Sequence, residues 1–255
     1  MIIIKRLYDY CHKRHQQKLL KFVFTIMALI LNIDTSSAVC SVCLAEDGEL
    51  VSERNDLSEN KHASKLTTLI KELIEDQKIR LKDISAVAIS SGPGSYTGLR
   101  IGTSVAKGIC YGLNKPLISV STLQGLAHRM SELKPDENGI YIPMLDARRN
   151  DVYMAIYDNS NNAIENDKFE TISVDFQHII SSYNVKNVYL GGSGSAKVKI
   201  ICLNTEFGTV IENLICVASN INTISYKRYE EGVFEDVTYF EPYYLKEFEG
   251  RMKIK

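Results

Sequence analysis

With 255 residues and 45% apolar content, the chain can bury a substantial core, and its length fits one domain of two lobes or two small domains. Lys and Arg total 30 against 31 acidic residues, but the first 26 residues carry six basic side chains and one acidic, leaving the remainder at net −6. A body of that sign is poorly matched to a phosphate backbone, so composition argues against direct binding of nucleic acid.

The N-terminal segment joins basic residues to an apolar run, FVFTIMALILNI, at residues 22–33. The run is too short to span a membrane and no small-residue cleavage site follows it cleanly, so it reads neither as a membrane span nor as a secretory leader. Its second half, ALILNID, reads as the first strand of the fold, with Met27 immediately before it. The expectation is that Met27 is the natural start, and that residues 1–26 are upstream sequence or a basic extension outside the fold. Six cysteines (Cys11, Cys40, Cys43, Cys110, Cys202, Cys216) are scattered over a chain long enough to need no staples, which predicts reduced thiols and a cytoplasmic location. Cys40 and Cys43 form a CxxC pair, but AVCSVCLA reads as a strand, where residues three apart point to opposite faces.

LILNIDTSSAVCSVCLAEDGELVSERN predicts three short strands in an antiparallel meander, with a polar turn at residues 35–37 and a second turn at EDG. Asn60 is placed to cap a helix whose Leu66, Leu69, Ile70, Leu73 and Ile74 share one face. A buried strand at residues 84–89, the glycine turn SSGPGSYTGLRIG at 90–102, a helix over roughly 97–112, a strand at PLISV and a helix from Ser121 complete a βββαβαβα unit. ELKPDENG, residues 132–139, is a polar linker. After it, IPMLDARRNDVYMAIYDN repeats the opening layout: an apolar strand ending in Asp146, a polar turn, and an alternating strand ending in Asp158. VYLGGSGSAKVKI is another strand, glycine turn and helix, and the tail FEDVTYFEPYYLKEF is crowded with aromatics that could pack back on the body or on a partner. The predicted architecture is α/β: two similar lobes of the βββαβαβα type, as in the ribonuclease-H-like lobes of actin-type (ASKHA) proteins. The first spans 27–132, and the second, with the tail, spans 133–255.

Duplicated lobes of this type often clamp ATP between them, which gives three places to weigh. At Asp34, DTSSAVCS has neither the glycine that lets backbone amides approach phosphate nor a following lysine, only the hydroxyls of Thr35, Ser36 and Ser37. Asp146 is followed by Ala147, Arg148 and Arg149, which could meet an anion or form a solvated surface pair. GGSG at 191–194 could contact adenosine, or be a plain strand-to-helix turn. With phosphate and metal requirements unmet twice, hydrolysis of ATP by the isolated chain is not expected. No HExxH or GxSxG is present, and none of the five histidines (His12, His15, His62, His128, His178) has a second histidine at i+4; His62 is followed there by Leu66.

The turn at 90–102 lacks the Gly-Lys-Ser/Thr ending of a P-loop. Instead Gly98, Gly102 and Ala106 recur every four residues and Cys110 continues the row. A glycine inside a helix costs roughly 1 kcal/mol, so the row needs an offsetting contact. Two readings stand: tight packing on the chain's own sheet, or a helix-to-helix contact with another subunit, shared with the amphipathic helix at 60–77.

ILNIDTSS, NKHASKL, AVAISSGPGSYTGLRIG, AKGICYGLNKPLISVSTLQGLA and IPMLDARRNDVYMAIYD, in that order from Ala28 to Asp158, together resemble the TsaB (YeaZ) family of bacterial tRNA threonylcarbamoyladenosine biosynthesis proteins. The tail is similar to that of the family's Bacteroidetes-type members, while residues 159–230 are only loosely covered. The resemblance implies a non-catalytic scaffold or activator subunit. It would pair with TsaD, which transfers a threonylcarbamoyl group to N6 of adenosine 37 in tRNAs reading ANN codons, and with itself as a homodimer. TsaE would join the complex, and tRNA would be met only through it. No cofactor is implied for the isolated chain; ATP or ADP and a metal belong to the partner complex. Catalytic relatives carry an HxxxH metal pair on the first helix, where this chain has HASKL.

The resemblance also implies a partner interface on the first two helices: His62, Leu66, Leu69, Ile70 and Leu73, with Tyr96, Thr97, Gly98, Arg100, Ile101 and Gly102. Degenerate nucleotide or phosphate contacts would fall on Asp34, Thr35, Ser36, Gly94 and Ser95. The alternatives are a small actin-type kinase or ATPase and, less favoured, a glycopeptidase-like hydrolase.

Overall fold

The computed structural model describes residues 27–58, 62–173, 176, 183, 187–201 and 208–245. The basic segment 1–26, Asn60 as a helix cap, Cys11, Cys202, His12, His15, His178 and the last three residues of the aromatic tail lie outside the described residues, as does the side chain of His62. No described helix is long and apolar enough to cross a membrane.

The first sheet opens with the meander β1 (Leu29–Asp34), β2 (Cys40–Glu46) and β3 (Glu49–Asp56). The tight turn between β2 and β3 sits on Asp47 (φ 50°) and Gly48 (φ 86°), the pairing of residues that a two-residue hairpin with two positive φ angles selects. Helix α1 (His62–Asp76) and strand β4 (Ala86–Ser90) follow. Next come α2 (Tyr96–Leu113), β5 (Leu117–Val120) and α3 (Thr122–Leu133). The strand order is β3-β2-β1-β4-β5, with β1 antiparallel to β2 and parallel to β4. Strands β1 and β4 are covered on both faces, which is why ILNI and AVAI read as continuous apolar runs rather than as alternation. Helix α2 starts at Ser95, whose Oγ accepts from Gly98 N, and stops at Asn114 in the left-handed region, which asparagine tolerates.

The second sheet repeats the plan. Strands β6 (Gly139–Asp146), β7 (Asp151–Asp158) and β8 (Ala163–Thr171) form a meander. They are followed by β9 (Asn187–Gly191), α4 (Ser195–Ile201) and β10 (Thr209–Ile211). The order β10-β9-β6-β7-β8 is that of the first sheet read from its other edge. A short 3-10 turn at Ala218–Ile221 then leads into α5 (Asn222–Glu231).

The helices, however, are exchanged. Helix α1 covers one face of the first sheet, burying Leu66, Leu69, Ile70 and Leu73 against Leu31, Ile33, Val42 and Leu44, and the inner row of α2 joins the same core. The other face of that sheet is covered by Ile221 and Ile224, brought back from the end of the chain. Conversely, Leu123, Leu126, Ala127 and Met130 of α3 pack on the second sheet, against Tyr141, Leu145 and Tyr157. The strands before and after residues 132/133 lie in different sheets, while α3 and α5 each pack on the sheet of the other half, following the apolar face that lacks cover.

Cys40 lies in the α1 core, while Cys43 on the opposite face donates to Asn222 Oδ1 at 3.0 Å, so the CxxC residues diverge as strand geometry requires. All four described cysteines are free and buried.

Candidate functional site

The Asp34 turn is closed on itself. Asp34 is 2% exposed; its Oδ1 accepts from Ser36 N (2.9 Å) and Ser36 Oγ (2.7 Å), and its Oδ2 accepts from Ser90 Oγ (2.5 Å). The glycine turn before α2 covers it. Ser95 N donates to Ser36 O at 2.6 Å, and Thr35 Oγ1 donates to Gly98 O at 2.8 Å. A Cβ built on Gly94 would overlap the Ser36 carbonyl, one on Gly98 the Thr35 carbonyl, and one on Gly102 the Thr35 hydroxyl. Asp34, Thr35 and Ser36, where phosphate contacts were expected, are all buried, and the start of α2 is hydrogen-bonded over them. Gly94 packs closely against the Ser36 carbonyl, and the exposed Ser95 gives that carbonyl its backbone N–H. On another side Cys216 lies beside Asp34 and Ser36, and burial with the Asp34 charge pushes its thiol well up from the ordinary value.

The second lobe builds the same joint from different residues. Gly194 N donates to Met144 O at 3.0 Å, and a Cβ on Gly192 (φ 95°) would overlap that same carbonyl. GGSG is therefore a strand-to-helix turn fitted under the β6 end. Asp146 accepts from Arg148 N (2.6 Å) and from Lys197 Nζ (2.7 Å), and Lys197 also donates to Asp151 O (2.7 Å). Arg148 and Arg149 are exposed in the left-handed region and form no ion pair among the described residues.

The interface residues divide sharply. Leu66, Leu69, Ile70 and Leu73 are core residues, and Gly98 and Gly102 face Thr35, so none of these six presents its side to a partner. In both helices these six of the expected interface residues lie on the inner face. An amphipathic pattern marks which face is apolar, not whether the chain's own sheet or another subunit covers it. Thr97 and Arg100 are exposed, and Tyr96 and Ile101 are half-buried. The surface these helices offer is instead Ser64, Thr67, Thr68 and Lys71 of α1, with Thr97, Ser104, Gly108 and Tyr111 of α2. Tyr111 is 85% exposed, and a Cβ on Gly108 or Gly112 would meet nothing within 4 Å. The second row of small residues, Ser104, Gly108 and Gly112, was available in the sequence at the same spacing of four and was missed beside the first.

The model of the family described as TsaD, tRNA N6-adenosine threonylcarbamoyltransferase, matches residues 55–226. The tRNA threonylcarbamoyladenosine biosynthesis protein TsaB of Haemophilus influenzae is 35% identical over 126 residues, 49% of this chain, and the match spans only about half (52%) of that relative. TsaB of Escherichia coli K12 is 31% identical over 226 residues, covering 85% of this chain and 94% of that protein. The chain belongs to the TsaB (YeaZ) family. A crystal structure from Pseudomonas aeruginosa, described as an uncharacterized protein with similarity to peptidase YEAZ, superposes with a TM-score of 0.74 at 22% identity, over 86% of this chain and 100% of that one. The fold is thereby fixed as the two-lobed, actin-like α/β arrangement.

In this TsaB-family chain a groove of about 540 Å³ opens beside Gly48, at the far end of β1 and β2 from Asp34. Glu49, Glu53, Glu132 and Glu212 line it with Arg129, a set that opposes a triphosphate. Among the described residues no three His, Cys, Asp or Glu side chains are grouped to hold a metal.

Proposed function

We propose that the chain acts in tRNA threonylcarbamoyladenosine biosynthesis as a non-catalytic docking subunit. It pairs with TsaD through the outer faces of α1 and α2, with TsaE completing the assembly that transfers a threonylcarbamoyl group to N6 of adenosine 37 in tRNAs reading ANN codons. The same faces serve a homodimer when TsaD is absent. ATP or ADP, the metal and the tRNA are met in the complex rather than by this chain, which works in the cytoplasm.

The observation that supports the reading is the closure of the Asp34 turn, whose carboxylate is taken up by Ser36 and Ser90 under the start of α2 rather than held open beside a glycine loop. What the two helices leave free is a surface of small and polar side chains suited to another pair of helices. The net −6 carried by residues 27–255 supports contact with tRNA through the partner.

The test is light scattering coupled to size-exclusion chromatography on the full chain, alone and mixed with TsaD of the same organism. A homodimer that gives way to a one-to-one heterodimer is the expected result. Absence of any complex would overturn the pairing, and calorimetric binding of Mg-ATP by the isolated chain would overturn the non-catalytic assignment.

A further inference from the structure

The segment after α5 stays on the molecule as a strap. Glu235 N donates to Leu117 O at 2.9 Å and Ser119 Oγ donates to Glu235 Oε1 at 2.5 Å, which covers the open edge of the first sheet at β5. Val237 and Phe240 reach the core under α2. Lys107 Nζ then holds two strap carbonyls, Thr238 O at 3.1 Å and Phe240 O at 3.0 Å. Tyr243 N donates to Ser91 O at 2.8 Å, and a Cβ on Gly92 (φ 115°) would stand 2.5 Å from Tyr243 O. At the start of α2 the Tyr244 ring lies 4.8 Å from that of Tyr96, and Arg100 Nε donates to Tyr244 Oη at 3.3 Å.

These contacts fix the side of α2 on which the strap runs. At roughly 100° per residue, Tyr96, Arg100 and Lys107 fall on one flank of the helix, and Ile101, Val105 and Ile109, which pack on the core shared with α1, fall on the other. Thr97, Ser104, Gly108 and Tyr111 form the exposed arc between them. A partner helix seated on that arc at the usual separation of about 8–10 Å overlies both flanks. One flank is α1 and the other is the strap, which presents Tyr239 at 81% exposure and Tyr243 at 49%. Exposed tyrosines beside a helix groove are the side chains from which interface anchors are drawn.

We propose that residues 233–245 are a third wall of the partner-docking face, and that Tyr239 and Tyr243 contact the threonylcarbamoyltransferase partner. The inference rests on the pairing reading and adds to it an element outside the two helices.

The experiment is titration calorimetry of the full chain with TsaD, for the parent, Tyr239→Ala, Lys107→Met and, as a control, Ile164→Ala, which removes an exposed side chain of the second lobe. Hydrogen exchange at the Glu235 and Tyr243 amides is followed in parallel. Tyr239→Ala and Lys107→Met should each weaken binding by about tenfold, Ile164→Ala should not, and the two amides should gain protection on mixing. A parent chain that pairs while Tyr239→Ala and Lys107→Met pair equally well, with unchanged strap protection, overturns this inference and leaves the pairing intact. A parent chain that does not pair overturns both.

Discussion

Gly98 and Thr35 are in direct backbone contact: the threonine hydroxyl donates to the glycine carbonyl at 2.8 Å, and the glycine Cα lies where any Cβ would overlap the threonine carbonyl. The contact offsets the propensity cost of a glycine one turn into a helix, because only glycine lets α2 come down on the β1 end. Gly98→Ala is expected to destabilise the chain by about 2 kcal/mol in urea melts, the gain in helix propensity being outweighed by overpacking. Gly108→Ala, on the open side of the same helix, should instead stabilise by up to about 1 kcal/mol. Equal effects at the two positions would mean that α2 sits in a different rotation.

Asp34 behaves as a structural carboxylate. Asp34→Ala strands the Ser36 amide and the Ser36 and Ser90 hydroxyls in a buried place, and should cost about 3 kcal/mol of stability, with Asp34→Asn costing roughly half as much. Circular dichroism melts give the number. Little change in stability, with a loss of nucleotide binding, would point to a ligand role instead.

The thiols give a test of the core. Burial pushes Cys40 up to about 11, with Asp56 and Asp34 adding to it, and pushes Cys110 up to about 12. Burial likewise raises Cys43 and Cys216 well above the ordinary thiol value. With Cys11 and Cys202 changed to serine, a disulfide reagent at pH 8 should label none of the four in the native chain and all four in denaturant. Rapid labelling of one native thiol would show that its layer opens locally.

Asp167 on β8 links the lobes by accepting from Ser121 Oγ at 2.7 Å and from Tyr157 Oη at 3.4 Å. Burial raises its pKa from the ordinary 3.8, against the pull of those two hydroxyls. The native state therefore binds this proton more tightly than the unfolded state, so its contribution is largest below 3.8 and is lost as pH climbs through the raised value. Urea melts from pH 4 to pH 7 should show Asp167→Asn gaining on the parent as pH rises; a difference that is constant with pH would rule out this linkage.

In the first lobe strand and helix order was legible because each element carries its own period or cap: the ILNI run of β1, the leucine face of α1, Ser121 at a helix start; β8, β10 and α5 of the second half carry no such signal. Direction was not. The four-residue spacing of Gly98, Gly102 and Ala106 marks a smooth helix face, but Gly108 and Gly112 have the same spacing and face solvent, and only the position of Thr35 tells the rows apart. The aromatic tail was expected to pack on the body or on a partner, but its path as a strap was hidden, since it has no periodicity and its partners Leu117, Lys107 and Ser91 are over a hundred positions away. Lys197, which grips Asp146 from α4, is likewise a contact between distant segments that no local pattern announces.

The exchange of α3 and α5 between the sheets has a consequence for how the chain is made. Ile30, Ala86, Ala88, Ile118 and Val120 on one face of the first sheet wait for Ile221 and Ile224, so an emerging chain keeps that apolar surface bare until nearly its whole length has left the ribosome. Cutting the chain at the linker would give two halves, each with a naked sheet and a helix that has nothing to sit on. Each sheet thus depends for one of its covers on a helix from the other half of the sequence, so a chain truncated before residue 221 would leave that face of the first sheet without Ile221 and Ile224.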